Sequence, residues 1–456
     1  MFKPAPTFLF AIIAGLACLP GTATSAQTKG THALVSARAK DAVDRVATVL
    51  EVQGVLKSPQ ENKVEQSKID VKATVLYDER TLDVSKGATG SLRSMRHYDR
   101  AEAKITLPKK EYAPTLRPER RLIGVEVGDD EVTLFSPRGQ LNRDELDLVD
   151  LLAGSLILDR LLPERPVAIN EPWTYSNETM KAVFGLDRIA SQTVKANLTT
   201  IDAKSAMIEM AGRIEGTVNG VKTRLDIKGK CRFDRKTRRI DWFGLLVKED
   251  RDIGPAAPGF DVVARLQVQI LPRNESKSLS NAALAGLPLR SNEALVRLIH
   301  EPREGGWRFE HDRRWFPTGG DDRFSYLRLI DQGDFVAQCN VVTLKQVEPG
   351  KQATLEQFQR DIKESLGDNF GEFVSASERA NDQDYRVIRV VARGEVEKLP
   401  IVWHCYLIAE QSGRQVAFTF TTEGTLVERL GEMDQQMIAS FRFDRPEVEM
   451  TRKSSP

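Results

Sequence analysis

The fold of this chain is decided by MIEMAGRIEGTV (207–218) and VKTRLDIKGKCRF (221–233), the two segments that flank Asn219-Gly220. Apolar and polar residues alternate along both segments, as they do in half-buried β-strands. Asn and Gly tolerate the positive φ angles of the tight turns that join antiparallel strands. These segments therefore predict a long β-hairpin, and the same period of two runs from Asp44 onward.

An internal repeat links this hairpin to an earlier part of the chain. KIDVKATVLYDERT (68–81) aligns without a gap with RLDIKGKCRFDRKT (224–237). The repeat predicts a duplicated β unit, with copies at about 44–165 and 166–272 that share one core. Independent convergence of two strands on one β pattern is the alternative interpretation.

One helix is predicted within this β region. Asn142 and Glu145 have the spacing of a capping box, and apolar residues recur at helical intervals until Pro163. The apolar side of such a helix must be buried, and packing against the sheet is the simplest way to bury it. Lining of a cavity for an apolar ligand is the alternative.

The composition changes after residue 272. The segment 273–292 is rich in Ser, Asn and small residues and is predicted to be a linker. Beyond it, strands alternate with two helices whose capping signals begin at Thr354 and Thr425. This pattern predicts a mixed α/β domain over residues 293–445.

These patterns predict an α+β protein with two folded regions. The first, over residues 44–272, is a mainly antiparallel β domain with one packed helix, and the α/β domain follows it. Residues 27–43 are expected to form a flexible N-terminus, and residues 446–456 a disordered tail.

The start of the chain has the pattern of a secretory leader. Lys3 gives a positive start, an apolar run extends from Phe8 to Leu19, and Thr24-Ser25-Ala26 offers small residues for cleavage. The run is shorter than the about 20 apolar residues that span a bilayer, which disfavours a membrane anchor. Residues 1–26 are therefore a predicted signal peptide, and export to the periplasm or beyond the cell is expected.

Cys18 allows a second prediction for the location of the protein, attachment to a membrane through a lipid. Ala17-Cys18 is similar to the end of a bacterial lipoprotein signal, which would place a lipid anchor on Cys18. Gly15 stands where such signals usually have Leu, so this alternative ranks below cleavage after Ala26. No later segment has the length and apolar character that a transmembrane helix requires.

Charge and cysteine content bear on partners and on covalent structure. Lys and Arg total 66 against 65 Asp and Glu, so no long-range attraction to nucleic acid is expected. The basic run at 235–239 lies at a hairpin tip and is interpreted as a solvated turn. Cys231, Cys339 and Cys405 fall on the apolar sides of strands, where free thiols pack as small hydrophobic groups. Export permits a disulfide between Cys339 and Cys405, and the sequence leaves that question open.

No catalytic, cofactor-binding or metal-binding residue is assigned from the sequence. His300-Glu301 resembles the start of a zinc-protease helix, but position 304 is Glu instead of the second His, and Pro302 disrupts the helix. The sequence has no nucleophile elbow, phosphate-binding loop or C-x-x-C pair. We therefore expect no cofactor and no metal.

Two acidic stretches and one aromatic cluster have both functional and structural interpretations. Asp129-Asp130-Glu131 and Gly319-Gly320-Asp321-Asp322 carry oxygen ligands but lack the alternate spacing of a calcium loop, which favours solvated turns. The aromatic cluster is either a binding patch or, more simply, strand core. It consists of Trp307, Arg308, Arg313, Arg314, Trp315 and Phe316.

Four elements of the second half occur in the order of a known family. They are the strand ending in Asn340-Val-Val-Thr-Leu344, the helix start Thr354-Leu-Glu-Gln-Phe358, the hairpin through Gln411-Ser-Gly413, and the last helix, which runs into Ser440-Phe441-Arg442. In this order the region resembles the PsbP-like α/β/α sandwiches. The resemblance implies an adaptor or assembly role without a common catalytic centre, so it carries over no functional residue.

The first half, with its predicted sheet around a helix, resembles the LolA-like exported carriers of lipoproteins. That resemblance implies an apolar ligand or a lipoprotein as cargo. Such carriers have one curved β unit, whereas this chain has two predicted copies.

The leading hypothesis is a non-enzymatic exported protein that binds a protein partner or an envelope component. A carrier of an apolar ligand or lipoprotein in the β domain is the alternative, and a hydrolase with an unrecognised site is the third hypothesis. The biological process and the oligomeric state are not predicted.

Overall fold

A computed structural model describes residues 30–60, 63–84, 92–128, 131–302, 304–321, 323–381 and 383–444. The predicted signal peptide, Cys18 and the predicted tail after residue 446 lie outside the described residues. The protein is α+β and mostly β-sheet, in agreement with the predicted fold class.

The first half forms one thirteen-stranded sheet in which all strand pairs are antiparallel. Its strands are β1 (Val43–Gln60), β2 (Lys63–Val84), β3 (Leu92–Leu107), β4 (Lys110–Tyr112), β5 (Leu122–Val127), β6 (Val132–Phe135), β7 (Pro172–Thr174), β8 (Arg188–Gln192), β9 (Lys195–Ile201), β10 (Ser205–Val218), β11 (Val221–Asp234), β12 (Arg239–Arg251) and β13 (Gly259–Arg273). The order is β6-β5-β3-β2-β1-β13-β12-β11-β10-β9-β7, with β4 beside β3 and β8 beside β10.

The predicted hairpin is confirmed as β10 and β11. Val218 and Val221 are the last paired residues before the turn, and Asn219 and Gly220 both have positive φ, 49° and 72°. Along β11 every second residue from Val221 to Phe233 is buried, so the period of two does reflect one buried face.

The strands that carry the internal repeat occupy equivalent places in the sheet. β1, β2 and β3 lie in the same relative order as β10, β11 and β12, and each is displaced from its counterpart by four strands. Gly54 in β1 and Gly212 in β10 also correspond: a Cβ at Gly54 would lie 2.2 Å from the Asp261 carbonyl oxygen, and one at Gly212 would lie 2.5 Å from Val194 Cα. The duplication itself stays a prediction, which this placement supports.

The sheet packs around helical segments that lie between β6 and β9. α1 (Arg143–Val149), a 3₁₀ turn at Leu158–Leu161 and α2 (Asn177–Phe184) share one apolar core with strands from both halves of the sheet. Val75 of β2 and Ile227 of β11 both belong to that core. Burial of one continuous apolar core therefore holds the two predicted copies together.

The single predicted helix proves shorter than expected. Its capping box is confirmed, since Asn142 Oδ1 accepts from Glu145 N at 2.8 Å and Glu145 Oε2 accepts from Asn142 N at 3.0 Å. α1 nevertheless ends at Val149 instead of near Pro163, because Asp150 leaves the helical region at φ −90° and ψ 63°. Ala153, with a φ of 52°, keeps the chain from resuming the helix. α2 is a second helix that the apolar pattern did not predict.

The prediction that residues 27–43 are flexible is wrong for the described residues 30–43. Leu34 is 2 % exposed and belongs to the first core, and His32 pairs with Val167 through backbone hydrogen bonds. Although the segment has no periodic pattern, the burial of Leu34, the ion pair of Arg38 and several backbone hydrogen bonds attach it to the rest of the protein.

The segment 273–292, predicted as a linker, packs on the first sheet. It includes a 3₁₀ turn at Lys277–Leu279 and α3 (Asn281–Leu284). Leu279 and Leu284 are buried against Met95 and Leu122 of the sheet. The leucines that lie among the small polar residues of this segment therefore form a small apolar core together with the sheet.

The second half contains a three-stranded and a seven-stranded sheet, both antiparallel. α4 (Glu293–Val296) leads into the smaller sheet, which contains β14 (Leu298–His300), β15 (Trp307–His311) and β23 (Arg442–Phe443). The larger one contains β16 (Trp315–Gly320), β17 (Phe324–Asp331), β18 (Asp334–Thr343), β19 (Phe370–Ala380), β20 (Arg386–Val396), β21 (Leu399–Ala409) and β22 (Gln415–Glu423), in the order β16-β17-β18-β22-β21-β20-β19.

Helices cover both faces of the seven-stranded sheet. α5 (Leu355–Leu366) packs on one face, and α6 (Val427–Leu430) with α7 (Met433–Ser440) packs on the other, each over a separate apolar core. The Thr354 cap is confirmed by a 3.2 Å bond from Gln357 N. The helix predicted from Thr425 is instead divided into α6 and α7 at Gly431, where φ is 56°. Among the described residues, no helix combines the length and apolar character that crossing a bilayer requires.

The two halves touch through two turns and several arginines. The β10–β11 turn meets the β17–β18 turn at Gly220 and Gly333, whose backbones are in direct contact. Arg143 donates to the Trp315 carbonyl at 3.4 Å, and Arg328 donates to the Pro255 carbonyl.

A candidate ligand-binding cleft

A buried ionic cluster lies on the inner side of β2 and β3. Glu79 is fully buried and its Oε1 accepts from Arg96 Nε at 2.8 Å and from Ser94 Oγ at 2.9 Å. Its Oε2 accepts from Ser155 Oγ at 2.7 Å. The Tyr77 hydroxyl is 2.9 Å from the same Ser155 oxygen, and its ring stacks under the Arg96 guanidinium at 4.8 Å. The sheet and the segment after α1 are thus joined by charge as well as by apolar packing.

Two further ion pairs extend this cluster toward the N-terminal segment. Arg38 donates to Asp159 Oδ2 at 3.2 Å and to the Ser155 carbonyl at 2.9 Å. Arg239 donates to Asp44 Oδ2 at 2.5 Å, so this last residue of the basic run 235–239 is buried and paired, and the interpretation of the run as a solvated turn is wrong for Arg239. Together with Glu79 and Arg96, the cluster contains three guanidinium groups and three carboxylates.

The cluster does not have the chemistry of a hydrolase site. Burial opposes the ionisation of Glu79, but Arg96 and Arg38 outweigh it and lower the pKa of Glu79 to about 2. A carboxylate with that pKa is a poor general base at neutral pH. Ser155 donates its proton to this weak base, so its oxygen is not activated for attack.

Next to the cluster lies a cleft of about 550 Å³, within the range of small-molecule sites. Its walls come from β5, β6, the end of α1, the following loop, α2 and the end of β10, and Arg96 lies among its lining residues. Most of its lining side chains are apolar: Val125, Val127, Val132, Leu134, Val149, Leu151, Leu152, Leu156, Ile157, Ala182, Val183, Phe184, Leu186 and Val218.

Charged residues share the cleft with these apolar walls. They are Arg96, Glu131, Asp150, Lys181, Asp187 and Arg251. Asp150 is solvent-accessible, yet protein surrounds it on most sides and this partial burial raises its pKa, although Arg313 and Arg96 oppose the shift. Asp150 and Asp187 also border a second cleft against β16–β18. The first cleft is therefore amphiphilic, with apolar walls and a balanced set of charges.

His300, which was considered as a zinc ligand, and the nearby His311 both pack inside the second half of the protein. His300 is largely buried against Trp307 and Phe309, its Nε2 lies 2.9 Å from Ser325 Oγ, and burial lowers its pKa to about 4. His311, whose ring centre is 6.4 Å away, was not singled out by its sequence and has a pKa lowered by burial to about 3. Within the described residues, no group of three His, Cys, Asp or Glu side chains is arranged to hold a metal ion.

The second acidic stretch forms a turn in its described part. Asp321 Oδ1 accepts from the backbone N–H groups of Arg323 and Phe324 at 2.7 and 3.1 Å, which makes it a turn residue. Asp129, Asp130 and Asp322 lie outside the described residues.

The two tryptophans of the aromatic cluster are strand core, as the simpler interpretation predicted. Trp307 and Trp315 are fully buried, and Trp307 Nε1 donates to Thr343 Oγ1 at 2.9 Å. Phe316 is half-buried beneath Arg143. The arginines are engaged within the protein: Arg308 with Asp444, Arg313 with the Val296 carbonyl, and Arg314 with Asp312.

His404, Asp434 and Tyr406 form a second buried polar group. His404 Nδ1 lies 2.7 Å from Asp434 Oδ2, which also accepts from the Tyr406 hydroxyl at 2.6 Å. His404 is thus a buried strand histidine whose Nδ1 has a partner within the protein. The partner Asp434 lies on α7, thirty residues away, where only the packed fold brings it into reach.

Cys339 and Cys405 do not form a disulfide. Both are free and buried, and they belong to the cores on opposite faces of the seven-stranded sheet. β22 also lies between their strands, β18 and β21. Sheet geometry therefore separates two thiols that the export prediction had allowed to pair.

We expect iodoacetamide to leave Cys231, Cys339 and Cys405 unmodified in the native protein at pH 8 and to modify all three after unfolding in urea. Burial raises the pKa of Cys231 to about 12 and that of Cys405 to about 11, which removes the reactive thiolate. Mass spectrometry of the tryptic peptides measures the modification. Disulfide-linked peptides, or modification before urea is added, would contradict this assignment.

No family model matches the chain, and no curated protein matches it. Among solved structures, the cyanobacterial PsbP protein CyanoP from Synechocystis sp. PCC 6803 is 14% identical, with 32% of this chain and 92% of that chain covered and a TM-score of 0.27. The translocator domain of autotransporter NalP from Neisseria meningitidis is 7% identical over 85% of this chain and 90% of that chain, with a TM-score of 0.14. OccK5 from Pseudomonas aeruginosa is 8% identical over 84% of this chain and 97% of that chain, with a TM-score of 0.11. CyanoP is itself a PsbP protein, but likenesses of this size assign neither a family nor a function to this chain.

Proposed function

We propose that this protein is a non-enzymatic exported binding protein whose cleft between β5, α1, α2 and β10 holds an amphiphilic small molecule. The observation that carries the proposal is the amphiphilic character of this cleft, in which apolar walls meet the buried Arg96. The cleft favours the apolar-ligand alternative, with an envelope amphiphile as cargo, over a protein partner.

Two features of the described residues support binding over catalysis. Ser155, the serine nearest to a carboxylate in the buried cluster, donates to an ionised Glu79 and has no histidine beside it among its hydrogen-bond partners. His404 and Asp434 form a pair, but neither residue lines the cleft. The PsbP-like nature of residues 293–445, and an adaptor role for that region, remain part of this proposal.

Extraction of the protein from its native envelope tests the proposal. We expect organic extraction and mass spectrometry to recover a stoichiometric amphiphile. The variant Ala182→Phe, which places an aromatic ring in the cleft from α2, should lose that amphiphile. Ala439→Phe, on an exposed helical site that borders another cleft, is the matched control and should retain it. Absence of any bound amphiphile from both the wild-type protein and the control would refute the proposed function.

A further inference from the structure

We propose that the ligand carries an anionic head group and that Arg96 binds this group, an inference that rests on the proposed function of the cleft. Arg96 is 5 % exposed and belongs both to the buried cluster and to the lining of the cleft. A guanidinium so placed is held rigidly by the protein while part of it still borders open volume.

The hydrogen bonds of Arg96 leave capacity for a ligand. A guanidinium has five N–H donors. In the described structure Arg96 uses Nε toward Glu79 at 2.8 Å, Nη1 toward Tyr98 Oη at 3.4 Å and Nη2 toward Ser155 Oγ at 3.3 Å. The last two bonds are long, and each Nη has a second N–H for which the described residues show no acceptor.

Gly154 keeps the approach to Arg96 open. A Cβ added at Gly154 would have only Arg96 Nη2 within 4 Å, at 3.5 Å. Gly154 itself lines the cleft. Arg96 Nη2 therefore lies beside a residue of the cleft lining that has no side chain to cover it.

The unused donors select the sign of the head group. Carboxylates and phosphates accept two parallel N–H bonds from one guanidinium, whereas a cationic head group offers it no acceptor. Asp150 in the same cleft opposes an anion, but Arg143 and Arg313 lie close enough to interact with it. The same cleft is also lined by apolar side chains, which suit the acyl chain of a ligand with an acidic end.

Calorimetric titration of the full mature chain with three twelve-carbon probes tests the inference. Dodecanoate should bind at least about tenfold more tightly than dodecanol, because only the carboxylate offers Arg96 a negative charge and two acceptor oxygens, whereas the alcohol offers one neutral oxygen. Equal affinity of acid and alcohol would overturn the inference and leave the proposed function intact, as would tighter binding of dodecylamine. No binding of any probe would overturn both.

Variants distinguish head-group binding by Arg96 from a general effect of the protein's charge on ligand affinity. Asp150→Asn should strengthen dodecanoate binding about two- to fivefold relative to dodecanol binding, because it removes a negative charge from the same cleft. Arg96→Lys, which keeps the charge but loses the planar pair of donors, should bring the affinity for the acid close to that for the alcohol. Arg308→Lys, at a half-exposed arginine beside another cleft, is the control. If Arg96→Lys does not fold, an unchanged ratio of dodecanoate to dodecanol affinity in Asp150→Asn still overturns the inference.

Discussion

Replacement of Glu79 by glutamine should lower the free energy of unfolding by about 3 kcal/mol, because it leaves buried guanidinium groups without their counter-charge. Glu79 is fully buried, and Arg96 is hydrogen-bonded to it while Arg38 lies 3.8 Å from it. Glutamine has nearly the same volume, so the expected loss reports charge and hydrogen bonding and not a cavity. Urea unfolding followed by circular dichroism measures it.

Glu102→Gln is the matched control for this prediction. Glu102 also pairs with an arginine, Arg100, but both side chains are about half exposed, and exposed pairs contribute at most about 1 kcal/mol. A loss for Glu79→Gln no larger than that of Glu102→Gln would show that the buried cluster contributes little to stability.

The pH dependence of the same variant gives a second check. The pKa of Glu79 is lowered from 4.5 to about 2 in the folded protein, so its stabilisation is fully present above pH 4.5 and is lost as pH falls through 2. The difference in unfolding free energy between wild type and Glu79→Gln should therefore shrink steadily from pH 5 to pH 2. A difference that stays constant over this range would contradict the assigned ion pair.

The sequence predicted the strands well because their burial has a simple period. The buried residues of β11 follow the alternation from Val221 to Phe233 without a break. The same alternation places Glu79 inward, in phase with Val75 and Tyr77 of β2. A carboxylate at an inward position thus predicts a buried cationic partner. The sequence does not indicate that this partner is Arg96.

The cleft was much harder to predict than the strands around it. Its walls combine Val125 of β5, Phe184 of α2 and Val218 of β10, which meet only because the sheet packs around the helical segment. The early end of α1 at Val149 shapes the cleft as well, since the chain after it forms part of the lining. Apolar periodicity predicts that a helix buries one face. It does not indicate whether that face fills all the space against the sheet or leaves a cleft.

The contact between the two halves was also not predictable from sequence patterns, because it joins residues that are distant in the chain. Asn219-Gly220 was predicted as a turn from local chemistry alone, and that prediction is confirmed. The turn at Gln332-Gly333 has the same left-handed pair of φ angles, 49° and 91°. Local chemistry did not predict that Gly220 and Gly333 contact each other. Because of this contact, the two halves can pack together only if both positions lack a side chain.

Replacement of Gly220 by alanine should therefore disrupt the contact between the two halves. The residue has a φ of 72°, which costs alanine about 1 kcal/mol, and the new Cβ would lie 1.8 Å from Gly333 Cα. Apolar carbons normally approach to about 3.5–4.0 Å, so the two turns must separate. We expect faster hydrogen exchange in both turns and in the loop that carries Pro255, whose carbonyl accepts from Arg328 of the second half. Gly286→Ala is the matched control, because Gly286 has a φ of 74° but no atom within 4 Å of the added Cβ. If exchange in the β17–β18 turn rises no more in Gly220→Ala than in this control, the two turns do not hold the halves together. Other contacts must then do so, among them the arginine bonds and the packing of Leu298 of β14 in the first core.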